Sequence, residues 1–282
     1  MANYEIYEKM STSEVQRLAR LGNKDALFEM AWRIDLLPDV DRKNPVEGYA
    51  WRSYWWEKAA DAGHINAKFK YARLLIDRPI NSEDRQEAMI YYQSLSNDFD
   101  NGKLNKGEDE EKGIIAKLWL GIMLCEGYYT KRDAKKGVEL INFAKNKLDN
   151  FHGFGFMVMY QLGILYSTGL VDPSEMEEPT LKDLEQGAKF YQTAIERFDP
   201  NKDNRGIFDI VNNHFEHTKN WIEKIRREGG VLIFEWTEND RKKYTAERRR
   251  EKMKLSDEGQ KQIDAVKSAL KRLRERLTRE GW

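Results

Sequence analysis

The sequence predicts an all-α repeat fold. Three observations predict it: a small-residue motif recurring at helical spacing, a motif of paired bulky residues between its copies, and glycine- and proline-bearing connectors. The first motif reads Ala26, Met30-Ala31, Ile34, then Ala67, Tyr71-Ala72, Leu75. It returns as Ala116, Leu120-Gly121, Leu124 and as Val158, Leu162-Gly163, Tyr166. Offsets of four, five and eight residues lie on one face of a helix. Small side chains on that face let a neighbouring helix come close.

The second motif follows each copy of the first. It is Trp55-Trp56 then Ala59, Tyr91-Tyr92 then Leu95, Leu140-Ile141 then Ala144, and Phe190-Tyr191 then Ala194. Each unit is thus a helical hairpin that needs its neighbours to bury its apolar face. The polar insert from Asn101 to Gly107, with the acidic run after it, lengthens one repeat. Gly127 and Gly169 stand just past their first helices, where a left-handed turn favours glycine. Gly63 closes the second helix of the first hairpin; Pro38, Pro45, Pro173 and Pro179 lie between the helices of the first and fourth.

Composition sets the boundaries. Hydrophobic residues make up 40% and charged residues 34%, the mix of helices with one buried and one wet face. Eight Trp, thirteen Tyr and twelve Phe argue against a disordered chain. Cys125 is the single cysteine, so no intramolecular disulfide can form. The first ten residues show no basic and apolar leader pattern, and no stretch approaches the roughly 20 apolar residues of a membrane helix. The expectation is a cytoplasmic protein without a membrane span. Residues 241–282 carry 15 Lys and Arg against 7 Asp and Glu, a net +8, leaving a body of −8.

The run Trp55-Trp56-Glu57-Lys58-Ala59-Ala60-Asp61-Ala62-Gly63-His64, followed by Asn66-Ala67, resembles the junction of Sel-1-like repeats. Leu120-Gly121 with Gly127, and Leu162-Gly163 with Gly169, resemble that family's other signature. The resemblance covers about residues 22–196. In the second unit Leu95-Ser96 stands where the family has paired alanines, and the inter-helix glycine is missing. The resemblance implies a right-handed α-solenoid of the Sel-1-like or tetratricopeptide type. It further implies a scaffold or adaptor that binds a protein or peptide in its concave groove, lined by the first helix of each hairpin. The candidate partner-binding residues on that surface are Phe28, Trp32, Lys70, Arg73, Trp119 and Met123. Trp32 and Trp119 lead, because they share helices with the small-residue motif but sit off its face.

The expected organisation is a capping helix over residues 1–21 and a solenoid with its cap helix over 22–228. A linker with a short extended segment, Val231 to Trp236, occupies 229–255, and a basic C-terminal helix 256–282. Ser11 and Glu14 form a capping box for the first helix. Ile207, Ile210, Val211, His214, Phe215, Thr218, Trp221, Ile222 and Ile225 form one helical stripe. In the C-terminal helix, Ile263, Val266, Leu270, Leu273 and Leu277 are spaced three and four apart, a short heptad seam starting from Ser256 as N-cap. That seam is the candidate interface of the helix: a cap on the last solenoid face, a homodimer contact, or a free recognition element. Its Lys and Arg residues, with Arg248 to Arg250, Lys252 and Lys254 before it, offer nucleic acid as the alternative partner.

Motifs that carry chemistry are scarce. Gly153 and Gly155 lack the third glycine and the Lys-Ser/Thr of a phosphate loop. His214 and His217 stand one turn apart, but a metal needs three or four ligands, and His214 reads as a core histidine. Cys125 reads as a buried small hydrophobe. The run Glu108 to Glu111 reads as a solvated loop without the glycine and spacing of a calcium site. The expectation is no catalytic residue, no metal and no cofactor, hence not an enzyme.

Overall fold

The computed structural model describes residues 4–36, 45–77, 82–127, 130–148, 155–172, 179–200, 205–227 and 257–280. Among them are twelve α-helices and no strand. They are α1 Tyr4–Glu8, α2 Thr12–Arg20, α3 Lys24–Asp35, α4 Pro45–Asp61, α5 Ile65–Asp77 and α6 Ser82–Asp100, then α7 Glu108–Glu126, α8 Ala134–Lys147, α9 Phe156–Ser167, α10 Leu181–Glu196, α11 Arg205–Arg227 and α12 Asp257–Arg279. The expected linker 229–255, with Val231 to Trp236, Arg248 to Arg250, Lys252 and Lys254, lies outside the described residues, as do Ser256, Pro38, Gly153 and Pro173.

Both repeat motifs land on helices as expected. Ala26, Met30, Ala31, Ile34, Ala67, Tyr71, Ala72, Leu75, Ala116, Leu120, Leu124 and Leu162 of the first motif are buried. So are Trp55, Trp56, Ala59, Tyr92, Leu95, Ile141, Ala144, Phe190, Tyr191 and Ala194 of the second. The small positions are where backbones meet. A Cβ on Gly163 would strike the ring of Tyr191, and one on Gly187 would lie 2.9 Å from the Ser167 amide nitrogen. Tyr191 completes that crossing with a buried hydrogen bond between its hydroxyl and that of Ser167, 2.8 Å.

Local signals start and stop the helices. Ser11 caps α2 in a reciprocal box with Glu14, and Thr180 caps α10 in the same way with Asp183. Three second helices, α2, α4 and α6, end alike: the amides of Asn23, His64 and Lys103 reach back to the carbonyls of Leu18, Ala59 and Asp98 around an intervening glycine. Gly127, at φ +64°, and Gly169, at φ +73°, turn the chain after α7 and α9, as the sequence anticipates. The acidic run Glu108 to Glu111 is not a loop. It forms the first turn of α7, where carboxylates face the positive end of the helix dipole and Lys112 returns to Glu108 at 3.0 Å.

The chain divides into two compact units, residues 1–116 with 252–282, and residues 117–251. This division differs from the expected single body over 22–228. In the first unit α2 to α6 pack in chain order, α1 lies on α3, and α12 lies along α4. The buried Glu29 carboxylate pairs with Arg33 at 2.6 Å, and Arg33 also donates to the carbonyls of Tyr7 and Met10, fixing the N-terminal turn. In the second unit α9, α10 and α11 pack in order. Arg132 ties two of its loops together by donating to the carbonyls of Cys125, Leu170 and Asp172. The predicted stripe on α11 is only half used. Val211, Thr218, Ile222 and Ile225 are buried, the last two against Leu184, while Ile210 and His214 are exposed.

Candidate functional site

The surface of the first unit is built from the starts of α3 and α5. Asn23 and His64 occupy equivalent places, each just after a glycine turn and just before a first helix. Asn23 Oδ1 accepts from the amides of Asp25 and Ala26, at 3.0 and 2.9 Å. His64 Nδ1 accepts from the amide of Ala67 at 3.2 Å. Accepting that bond requires Nδ1 unprotonated, and burial pushes the imidazole down to about 4. Asp25 lies 3.7 Å from His64 Nε2, but a neutral ring makes no ion pair with it near pH 7.

His64 stacks on Phe28, ring centroids 4.1 Å apart and nearly parallel. Phe28 in turn meets Trp56 edge-on at 5.4 Å and Trp32 in a stacked arrangement at 6.4 Å. Trp32 is the outermost ring of this array, with 40% of its surface exposed. The Lys70 ammonium lies 5.8 Å from its centroid. Lys70 and Arg73 on α5 are exposed as well.

Of the six candidate residues, then, Trp32, Lys70 and Arg73 reach solvent. Phe28 does not: it is the buried platform beneath Trp32. Trp119 and Met123, in the second unit, are buried too, at 9% and 6% exposure, which corrects the expectation that Trp119 is open to a partner. The reason is legible in α7. From Leu118 to Cys125 every residue is apolar or glycine, and a helix apolar all round is buried all round. Even Lys117 is buried there, its ammonium 5.4 Å from the Phe143 ring centroid.

A second polar surface of the first unit was missed by sequence reasoning. It gathers Glu57 and Asp61 from α4, Tyr71 from α5, and Glu87 and Tyr91 from α6. Tyr71 hydrogen-bonds Glu87, and Tyr91 donates to Asp61 at 2.7 Å. Burial, then the charge of Glu57, holds the Glu87 carboxyl above the ordinary carboxylate range. Arg274 of α12 places Nη2 at 2.8 and 2.7 Å from the two oxygens of Glu57. The tyrosines of the second motif carried a signal, but periodicity alone assigns them to packing.

The seam residues of α12 are turned inward: Ile263, Leu273 and Leu277 are buried, with Ala269 beside them, and Val266 and Leu270 are half-buried. The surface they cover belongs to α4, in the first hairpin.

Cys125 is buried, and burial pushes its thiol up to about 12, far from a reactive thiolate. His214 is exposed beside Tyr160 and Tyr191, 5.9 Å from each ring, and not in the core as expected; His217 lies 4.8 Å from Trp221. Among the described residues no three His, Cys, Asp or Glu side chains gather to hold a metal ion. No described helix is long and apolar enough to cross a membrane. No protein-family model matches the chain, and no curated protein matches it.

Proposed function

We propose that the protein is a Sel-1-like, right-handed α-solenoid that acts as a cytoplasmic scaffold or adaptor, gripping a protein or peptide on the surface formed by its first helices. The observation that carries this reading is Trp32. Its ring is exposed yet held from below by Phe28, which itself stacks on His64, so little side-chain freedom is lost when a partner covers it. Tryptophan is prominent at the energetic centres of protein interfaces, and Lys70 brings positive charge to within 5.8 Å of the ring centroid. Consecutive packing of hairpins carrying two recurring motifs supports the repeat type. Proteins captured by the wild-type chain are expected to be lost with Trp32→Ala and kept with Lys103→Leu. Equal capture by both variants would remove the Trp32 surface from the reading.

A nucleic-acid role rests on the exposed Lys261, Lys267, Lys271 and Arg272 of α12. It predicts binding to duplex or single strands that falls steeply with salt.

A further inference from the structure

The helix α12 covers the first hairpin in the manner of a bound ligand. It is amphipathic, with Ile263, Ala269, Leu273 and Leu277 buried and its charged residues largely exposed. It carries seven Lys and Arg against four Asp and Glu. The surface it lies on is α4, to which it is joined by no adjacent stretch of chain: α11 ends at Arg227 and α12 begins at Asp257. Two polar contacts across this interface run from a cation of the helix to an acceptor of the body. Arg274 reaches both oxygens of Glu57, and the Arg276 guanidinium lies 5.8 Å from the centroid of Trp51.

Beside Glu57, Asp61 and Glu87 add acidic side chains to the receiving surface. Glu57, Asp61, Asp84 and Glu87 act on one another closely enough that each of the other three opposes ionisation of Glu87. Beneath this surface, the buried Tyr71 hydrogen-bonds Glu87, and the half-buried Tyr91 donates to Asp61. An acidic face beside the contact that buries Ile263, Ala269, Leu273 and Leu277 suits a helix bearing leucines one turn apart and an arginine between them. Leu273, Arg274 and Leu277 have that pattern.

We propose that this face of α4 is a binding site for a basic amphipathic helix of a partner protein, and that α12 occupies it in cis as a competing ligand. The site goes beyond the Trp32 surface and uses none of its residues. Tethering gives α12 a high effective concentration at its own site, so a partner helix must outcompete it or meet a chain in which it has been released. Binding at this site is therefore weak in the resting chain and strong once α12 lifts.

The test uses the full chain and, as probe, a fluorescein-labelled synthetic peptide of residues 257–280, followed by anisotropy. The double variant Leu273→Asp/Arg274→Glu releases the helix and is expected to bind the peptide at least tenfold more tightly than wild type. Adding Glu57→Arg should abolish that gain, and a peptide carrying Arg274→Glu should restore it. A released variant that keeps its helical circular dichroism but binds the peptide no better than wild type overturns the proposal, since α12 is then only a structural part. If the double variant fails to fold, Arg274→Glu alone decides, because it keeps every buried leucine: tighter binding supports the site, unchanged binding overturns it. A wild-type dimer that the peptide converts to monomer also overturns it, because the occupant is then a second copy.

Discussion

Gly121 and Gly137 face each other where α7 crosses α8. A Cβ on either would lie 2.7 Å from the carbonyl oxygen of the other. The obstacle is backbone on both sides, which cannot rotate away. Gly121→Leu should therefore cost about 1–3 kcal/mol or more through overpacking, while Lys103→Leu, on an exposed turn, should be nearly silent. Thermal melts of the two variants check this, and equal midpoints would contradict the crossing.

The two tryptophans separate binding from folding. Trp119→Ala removes a buried ring and should destabilise by about 3–5 kcal/mol. Trp32→Ala removes a partly exposed ring and should leave most of the stability in place while abolishing partner capture. Denaturant titration beside a capture assay distinguishes the two outcomes.

The imidazole of His64 ties stability to pH. Burial lowers it from the usual 6.5 to about 4, with Lys24 and Lys112 adding to the effect against Asp25 and Asp109. Between these values the unfolded chain binds a proton that the folded chain refuses. The contribution is complete above about pH 6.5, is lost as pH falls, and levels off near 4. It should reach about 3 kcal/mol at most. His64→Asn keeps a capping side chain without a proton to bind. Unfolding free energies from pH 7 to pH 4 should fall less steeply for that variant, and parallel curves would refute the assignment.

In α12 the leucines should matter more than the arginine. Arg274 is about half exposed, so its pairing with Glu57 is screened and Arg274→Ala should cost at most about 1 kcal/mol. Leu277 is 2% exposed, and Leu277→Ala should cost about 2–4 kcal/mol. The ratio is read from melts at low and high salt, and only the arginine effect should shrink with salt.

A chain ending at Asp240 tests the same helix as a whole. Loss of α12 exposes its apolar track on α4, so the truncated chain should melt earlier. Light scattering on both chains should show whether the seam also joins copies, as its heptad spacing allows.

The sequence by itself determined the helices and their inward faces. Spacings of three and four residues are a property of one helix, so Ala26 to Ile34 and Leu120 to Leu124 declare their buried side without reference to any neighbour. The capping residues Ser11 and Glu14, and the glycines at 127 and 169, are equally local, because their bonds span a few residues. What α12 covers was decided only in three dimensions. Its seam shows that one face must be buried, yet hydrophobic burial is non-directional and names no partner. The acidic face of Glu57, Asp61 and Glu87 likewise came into being only when α4, α5 and α6 packed, since those residues are up to 30 positions apart. Trp32 and Trp119 both lie on first helices off the small-residue face, one after Ala31 and the other before Leu120, and their fates diverged. Exposure depends on what packs against a helix from outside, and Trp32 ended at the surface while Trp119 was enclosed on an all-apolar stretch of α7.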